Sequence, residues 1–272
     1  MKVVLFCGGY GMRMRNSDSD NVPKPMQMVG PRPLLWHVMR YYAHHGHKEF
    51  ILCLGYGAAY IKNFFLGYEE TISNNFVLHG GRVEMLNTDI SDWHITLVDT
   101  GIESSIGERL RRVRSHLGDD EVFLANYADV LTDAPLDDLV EAHRNSGAAA
   151  LMMLVRPQQS FHCVDVSEDG EIKDIIPISE LSLWENGGYF VLSREVLDLI
   201  PPGGDLVGDA CSTLAGQGRL VGYKHEGFWK PADTFKERAE LDAGYRVGDR
   251  PWMVWEQDDQ NNVLASGNRS AS

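Results

Sequence analysis

The chain has 272 residues, 24% of them charged, and carries a formal net charge of −14 at pH 7. This acidic balance argues against a nucleic-acid-binding protein, which needs basic residues to neutralise phosphates. No segment approaches the roughly 18 apolar residues of a membrane span, and the first apolar run is too short for a signal peptide. We therefore expect a cytoplasmic protein that binds neither nucleic acid nor membranes.

The cysteines are scattered along the chain without a CxxC pair, which makes a zinc site or a redox motif an unattractive hypothesis. They are Cys7, Cys53, Cys163 and Cys211. Reduced thiols in a cytoplasmic protein are the interpretation that fits this spacing best.

Apolar runs and helical spacings alternate through the first 155 residues. The predicted strands are 3–7, 49–55, 82–87, 93–99, 121–126 and 148–155, and the predicted helices are 33–45, 58–66, 106–117 and 136–145. This alternation predicts an α/β fold, Rossmann-like, with a mixed, mainly parallel sheet flanked by helices. In such sheets ligands bind beyond the carboxyl ends of the strands, so the loops that follow strands carry most of the functional information.

Beyond residue 160 the pattern becomes richer in β-structure. The predicted elements are a hairpin over 161–176 with Asp169-Gly170 at its turn, strands at 187–193 and 219–225, helices near 194–200 and 206–215, and a helix beginning at Asp233. We find no internal repeat and no linker, so residues 1–256 are predicted to form one domain. Residues 257–272 are polar and are predicted to be a disordered tail.

A glycine-rich loop follows the first predicted strand, with cations on both sides of a polar stretch. Its glycines would let the backbone approach a ligand and point N–H groups at a phosphate. Arg13, Arg15 and Lys24 are suited to binding that phosphate. The pattern is neither GxGxxG nor a Walker loop. From the residues alone, a phosphate site and an ordinary turn with solvated charges both remain open.

Two aspartates and one basic run are further candidates. Asp129 follows the strand 121–126, and Asp233 opens a predicted helix. They could be a turn residue and a helix N-cap, or they could together hold Mg²⁺, which takes one or two carboxylates plus substrate phosphates. The basic run "RLRRVR" at 109–114 is typical of a solvated helix face.

Taken in order, the motifs resemble the sugar-1-phosphate nucleotidyltransferase family, and within it the branch that transfers cytidylyl groups. "FCGGYGMRM" resembles the family's nucleotide loop GGxGTRL, and "PKPM" resembles its lysine motif. The other matching segments are "LLWHVMRYYAHHG", "FILCLGY", "WHITLVDTG", "GERLRRV" and "GFWKPADT". The resemblance extends from residue 1 to about residue 256, and a series of motifs in this order is far more specific than one glycine loop.

The resemblance implies the roles of the candidate residues. The nucleotide phosphates would be held by Gly8, Gly9, Gly11 and Arg13. Lys24 would bind the α-phosphate region, and Arg109 matches a position associated with cytosine recognition. Residues 1–155 would form the nucleotide-binding core, and residues 156–232 would form the small β-rich acceptor-binding part.

The same resemblance implies the chemistry. Asp129 and Asp233 match the carboxylates that bind the Mg²⁺ cofactor, and Arg13, Lys24 and Asp129 would form the catalytic group. A sugar phosphate would attack the α-phosphorus of CTP and release pyrophosphate, a reaction for which the protein supplies mainly positioning and charge neutralisation. Relatives of this kind suggest a homo-oligomer.

Four departures from the family pattern affect mainly the acceptor side. Met12 replaces a threonine of the nucleotide loop, and "YADV" replaces YGDG around Asp129. Ser160-Phe161-His162 stands where the family has RFG. The EKP motif, whose lysine binds the sugar phosphate, is absent, and no lysine occurs between Lys173 and Gly187. Arg156, Lys173 or His162 could substitute for it.

These departures leave three hypotheses open. The first is a cytidylyltransferase that acts on glucose 1-phosphate or a related phosphorylated acceptor. The second is a nucleotide-binding homologue that has lost turnover. The third is a transferase that uses UTP or dTTP.

Overall fold

The computed structural model describes residues 1–9, 22–158 and 161–256, which form an α/β fold. Its strands are β1 (Val3–Phe6), β2 (Met28–Val29), β3 (Arg32–Pro33), β4 (Glu49–Leu54), β5 (Phe76–His79), β6 (Arg82–Met85), β7 (His94–Asp99), β8 (Val122–Asn126), β9 (Val130–Thr132), β10 (Ala150–Val155), β11 (His162–Val166), β12 (Ile172–Pro177), β13 (Glu185–Ser193), β14 (Leu220–Lys224) and β15 (Trp229–Pro231). Its α-helices are α1 (Leu34–His44), α2 (Ala58–Leu66), α3 (Glu70–Ser73), α4 (Ile106–Val113), α5 (Leu136–Ser146), α6 (Ser212–Gly216) and α7 (Phe235–Val247).

The central sheet has seven strands in the order β14-β10-β13-β8-β1-β4-β7. Neighbouring strands are parallel except at β13, which runs antiparallel to both β10 and β8. The prediction of a mixed, mainly parallel sheet flanked by helices is thereby confirmed. The carboxyl ends of all the other strands lie along one edge, and this edge collects the loops that follow β1, β4, β7 and β8.

Continuous apolar runs form the central strands because both faces of the sheet are covered by helices. Val3 and Leu5 of β1 pack into one hydrophobic cluster, with α1 and part of α7. Val4 and Phe6, which point to the other face, pack into a second cluster with α4 and the segment 196–214. None of the helices in the described segments has the length and hydropathy needed to cross a bilayer.

Four short two-stranded ladders lie outside the central sheet, and two of them are exposed hairpins. The β11–β12 hairpin confirms the prediction for 161–176, with Gly170 at its turn. The β5–β6 hairpin agrees with the prediction only in its second strand, because the sequence pattern predicts no strand over Phe76–His79. The helix expected to begin at Asp233 begins instead at Phe235. Its N-cap is Thr234, which forms a capping box with Glu237.

The C-terminal part of the described chain packs aromatic side chains around His37 of α1. The ring of His37 lies 5.3–6.4 Å, centroid to centroid, from the rings of Trp36, Tyr245, Trp252 and Trp255. Its Nε2 atom lies 3.0 Å from the carbonyl oxygen of Val29. Burial in this apolar cluster lowers the pKa of His37 to about 4.

This lowered pKa predicts a loss of stability in mild acid. Below pH 6.5 His37 is protonated in the unfolded chain, whereas in the folded chain it stays neutral until about pH 4. Acid therefore stabilises the unfolded state relative to the folded state in this range. The wild type should therefore lose roughly 3 kcal/mol more unfolding free energy between pH 6.5 and 4 than a His37→Gln variant does. Urea unfolding at several pH values measures this difference.

The exposed His116 provides a matched control. The His116→Gln variant makes the same chemical change at a position outside the aromatic cluster around His37. Parallel stability curves for the wild type and His37→Gln would contradict the assignment to His37.

Candidate active site

Asp129 lies at the carboxyl edge of the sheet, in a tight turn that follows β8. The side-chain oxygen of the fully buried Asn126 accepts a hydrogen bond from the backbone N–H of Ala128 at 2.6 Å. Ala128 has a φ of +63°, a left-handed conformation that glycine adopts at lower cost. The turn therefore keeps the backbone conformation suited to a glycine although the residue is alanine.

A short β-ladder brings Asp233 to Asp129, more than one hundred positions away in the sequence. Strand β15 pairs with β9, with Pro231 opposite Val130. The ladder continues past its last pair, because the N–H of Ala232 donates to the carbonyl oxygen of Asp129 at 2.9 Å. Asp233 is the next residue, so its carboxylate emerges beside that of Asp129.

Lys24 bridges the two carboxylates. Its Nζ atom lies 2.5 Å from Oδ2 of Asp129 and also contacts Oδ1 of Asp233. The side chain of Lys24 is 14% exposed, that of Asp129 is 21% exposed and that of Asp233 is 41% exposed. The cluster is therefore shielded on the side of Lys24 and open to a ligand on the side of Asp233.

Burial and charge shift the pKa values of Lys24 and Asp129. Burial alone would lower the pKa of Lys24, but the charges and hydrogen bonds of Asp129 and Asp233 outweigh it and raise that pKa. Lys24 is therefore a cation at neutral pH. Burial raises the pKa of Asp129, against the opposing attraction of Lys24. Burial therefore makes the charged form of Asp129 more costly than that of an exposed aspartate.

The donor set fits a magnesium ion. Both carboxylates supply hard oxygen ligands, and Mg²⁺ is commonly bound by one or two carboxylates together with substrate phosphates and water. Among the described residues, no group of three or more His, Cys, Asp or Glu side chains is arranged to hold a metal by itself. A metal bound by Asp129 and Asp233 would therefore complete its coordination with ligands from outside the protein.

Arg109, which opens the basic run on α4, is buried beneath the loops that follow β1, β4 and β7. Its Nη1 atom donates to the carbonyl oxygen of Leu54 at 3.1 Å and to Oγ1 of Thr100 at 2.8 Å. Its Nη2 atom donates to the carbonyl oxygens of Gly8 at 3.0 Å and Ile102 at 3.3 Å. The guanidinium group thus joins three loops at the carboxyl edge.

A side chain at position 8 would force the guanidinium group of Arg109 out of its hydrogen-bonded position. A Cβ atom on Gly8 would lie 2.0 Å from Nη1 of Arg109, closer than any non-bonded contact. A Cβ atom on Gly9 would meet nothing within 4 Å among the described residues, so none of those residues requires a glycine there. Of the two glycines expected to hold phosphate, only Gly8 is packed against Arg109.

The rest of the basic run behaves as a solvated face. Arg111 and Arg112 both form ion pairs with Glu108, on the outer side of α4. Arg109 differs because its terminal N–H groups are engaged by the four oxygens named above. Its implied role in cytosine recognition stays a prediction. A base that accepted a hydrogen bond from Nη1 or Nη2 would compete with the four oxygens that these atoms already contact.

The remaining predicted nucleotide ligands, Gly11 and Arg13, fall in residues 10–21 and lie outside the described residues, as does Arg15. Cys7, the residue that follows β1, is buried, and burial raises the pKa of its thiol. Cys7 is therefore not a candidate nucleophile at neutral pH. The four cysteines are all free thiols.

The part of the chain predicted to bind the acceptor contains the β11–β12 hairpin and the segment that enters β13. Phe161 and His162 lie at the start of the hairpin, and Ser160 lies outside the described residues. The stretch that lacks the lysine ends at Asn186, whose Nδ2 atom donates to the hydroxyl oxygen of Tyr127 at 2.7 Å. This contact connects the predicted acceptor-binding part to the segment that leads into the Asp129 turn.

Sequence reasoning missed two residues that shape the site. Thr100 anchors Arg109, and Asn126 holds the Asp129 turn through a side-chain-to-backbone hydrogen bond. An asparagine two residues before a tight turn is a recognised local signal. For Thr100 the sequence offers no comparable signal, because its partner is nine residues away across a loop.

Comparison with known proteins places the chain in a family. No family model matches it. The chain is 35% identical over 260 residues to the glucose-1-phosphate cytidylyltransferase of Salmonella typhi, covering 94% of this chain and 100% of that protein. It is 37% identical over 259 residues, with the same coverage of both chains, to a protein of Bacillus subtilis (strain 168) named "probable glucose-1-phosphate cytidylyltransferase".

Solved structures agree with the fold. The UTP-bound UGPase from Acinetobacter baumannii superposes with a TM-score of 0.67 at 20% identity, covering 94% of this chain and 97% of that one. At this level of identity the likeness concerns the fold alone. The extent and coverage of the identity to the two curated relatives show that this chain is a nucleotidyltransferase of the sugar-1-phosphate nucleotidyltransferase family.

Proposed function

We propose that the chain transfers a cytidylyl group from CTP to glucose 1-phosphate or a related phosphorylated acceptor in a Mg²⁺-dependent reaction. The observation that carries the proposal is the convergence of Asp129, Asp233 and Lys24 at the carboxyl edge of the sheet. The names of the curated relatives support CTP as the nucleotide and glucose 1-phosphate as the acceptor.

In this proposal a phosphate oxygen of the acceptor forms a bond to the α-phosphorus of CTP. The bond from that phosphorus to the oxygen bridging to the β-phosphate breaks, and pyrophosphate leaves. Lys24 supplies a cation for the α-phosphate region, and Arg109 holds the loops that frame the nucleotide. Mg²⁺ bound by Asp129 and Asp233 would neutralise phosphate charge.

A pyrophosphate-release assay tests the proposal. Folded protein should release pyrophosphate from CTP in the presence of Mg²⁺ and glucose 1-phosphate, and a chelator should abolish the release. A panel of sugar phosphates and a competition among CTP, UTP and dTTP would define both substrates. Absence of release with every acceptor and nucleotide would contradict the proposal.

One observation favours a second candidate, a nucleotide-binding homologue without turnover. No lysine occurs between Lys173 and Gly187, the stretch where the family resemblance implies a lysine that binds the sugar phosphate. A thermal shift produced by CTP and Mg²⁺, in a protein that releases no pyrophosphate, would favour this candidate.

A further inference from the structure

Two cations lie against one tryptophan at the carboxyl edge of the sheet, beside the acceptor region. The guanidinium carbon of Arg156 is 4.1 Å from the ring centroid of Trp184, and Nζ of Lys224 is 5.1 Å from the same centroid. We name these three residues the Trp184 cation cluster. We propose that the cluster binds an anionic group of the phosphorylated acceptor, in place of the absent lysine.

The sheet register explains why the two cations meet. Strands β10 and β14 are parallel neighbours, with Leu154 opposite Lys224. Arg156 follows Leu154 by two positions and therefore emerges on the same side of the sheet. Trp184 enters β13, the neighbour of β10 on its other side, so its ring reaches both cations.

The charges of the cluster are available to a ligand. Within the described residues, neither Arg156 nor Lys224 forms an ion pair with a carboxylate. The only hydrogen bonds of Arg156 there are long ones, 3.4 Å, to the carbonyl oxygens of Leu181 and Leu183. An arginine held on an aromatic face keeps its N–H fork oriented, which suits it to bidentate binding of a phosphate or carboxylate.

The cluster is connected to the proposed catalytic carboxylates through short contacts. Asn186, two residues after Trp184, donates to Tyr127, which lies two residues before Asp129. The carbonyl oxygen of Gly187 accepts from Nε1 of Trp229 at 2.8 Å, and Trp229 belongs to the strand that leads to Asp233. These contacts join the segment that carries Trp184 to the two segments that carry Asp129 and Asp233.

Two parts of an acceptor could supply the anionic group. It could be the phosphate that attacks the nucleotide, or a second anionic group on the same sugar. Both sources present oxygens with negative charge, and the experiment separates them by using glucose 1-phosphate, glucose 1,6-bisphosphate and glucuronic acid 1-phosphate as probes.

The test compares Arg156→Gln, Lys224→Gln and the double variant with the wild type. Each single substitution should raise the KM for the acceptor about tenfold or more, and leave the KM for CTP unchanged, because one charge-assisted hydrogen bond is lost in each. A rise in KM with all three probes shows that the cluster binds the attacking phosphate. A rise in KM that occurs only with glucose 1,6-bisphosphate and glucuronic acid 1-phosphate shows that the cluster binds their second anionic group.

Binding is measured separately from turnover, because the inference rests on the proposed function for the identity of the acceptor. The three probes should change the tryptophan fluorescence of the wild type, and this change should be lost in Trp184→Phe and in the double variant. Fluorescence changes without pyrophosphate release would support the cluster and contradict the proposed function.

Arg219→Gln is the matched control, because Arg219 precedes β14 at its opposite end and pairs with Glu195. It should leave both the acceptor KM and the fluorescence response unchanged. The inference is overturned if no probe alters the fluorescence of the wild type. It is also overturned if the double variant has the same acceptor KM and fluorescence response as Arg219→Gln. The same conclusion follows if Lys173→Gln is the only variant that raises the acceptor KM.

Discussion

Replacing Asp129 with asparagine is expected to lower kcat/KM for pyrophosphate release from CTP at least about a hundredfold. Asparagine keeps the shape of the side chain but removes a charge from the pair that Lys24 bridges. The protein should stay folded, since burial already disfavours the charged carboxylate. The loss should therefore appear in the assay and in the Mg²⁺-dependent part of the thermal shift produced by CTP.

Asp137→Asn is the control for this prediction, because Asp137 is an exposed aspartate of α5 whose carboxylate is 79% exposed. Its activity should match that of the wild type. Full activity and an unchanged Mg²⁺ response in Asp129→Asn would exclude Asp129 from the metal site. The same experiment on Asp233 tests whether the pair acts together, and the double variant should be little worse than either single variant.

Replacing Arg109 with methionine is expected to lower the unfolding free energy by about 3 kcal/mol. The substitution keeps an unbranched side chain but removes the donors that join Gly8, Leu54, Thr100 and Ile102. Some of these oxygens keep other partners, since Leu54 also accepts from the N–H of Thr100. The loss of unfolding free energy therefore comes from a buried hydrogen-bond network in which some acceptors lose their partner and others keep one. Urea unfolding measures it.

The same variant separates two roles of Arg109. If the arginine mainly holds the three loops, the KM values for CTP, UTP and dTTP should rise together, and the preference among them should persist. If it mainly reads cytosine, the preference for CTP should collapse while stability changes little. Arg111→Met, on the exposed face of the same helix, should show neither effect.

The fold was predictable from the sequence because its core strands are short apolar runs separated by helical spacings. The β5–β6 hairpin was only half recognised. Phe76–His79 gave no clear alternation, although Gly80-Gly81 is a typical hairpin turn and both glycines have a positive φ. The start of α7 was misplaced by two residues, because an aspartate and a threonine in succession are both acceptable N-caps.

The active site was predictable in its residues but not in its contacts. The motifs pointed to Asp129, Asp233 and Lys24, yet nothing in the sequence shows that a three-residue ladder would bring the aspartates together. Arg109 could not be separated from Arg111 and Arg112 by composition. Burial of one arginine in a run depends on which face of the helix meets the sheet, and that is a property of the packing.

Ala128, in the left-handed turn before Asp129, restricts the orientation of the Asp129 side chain. A methyl group at position 128 excludes most of the alternative backbone angles that a glycine could sample there. The turn is consequently stiffer than a glycine turn, and it confines the carboxylate that follows to a narrower range of directions. The left-handed conformation of Ala128 lowers the folding stability at this position, and the same alanine makes the orientation of the Asp129 carboxylate better defined.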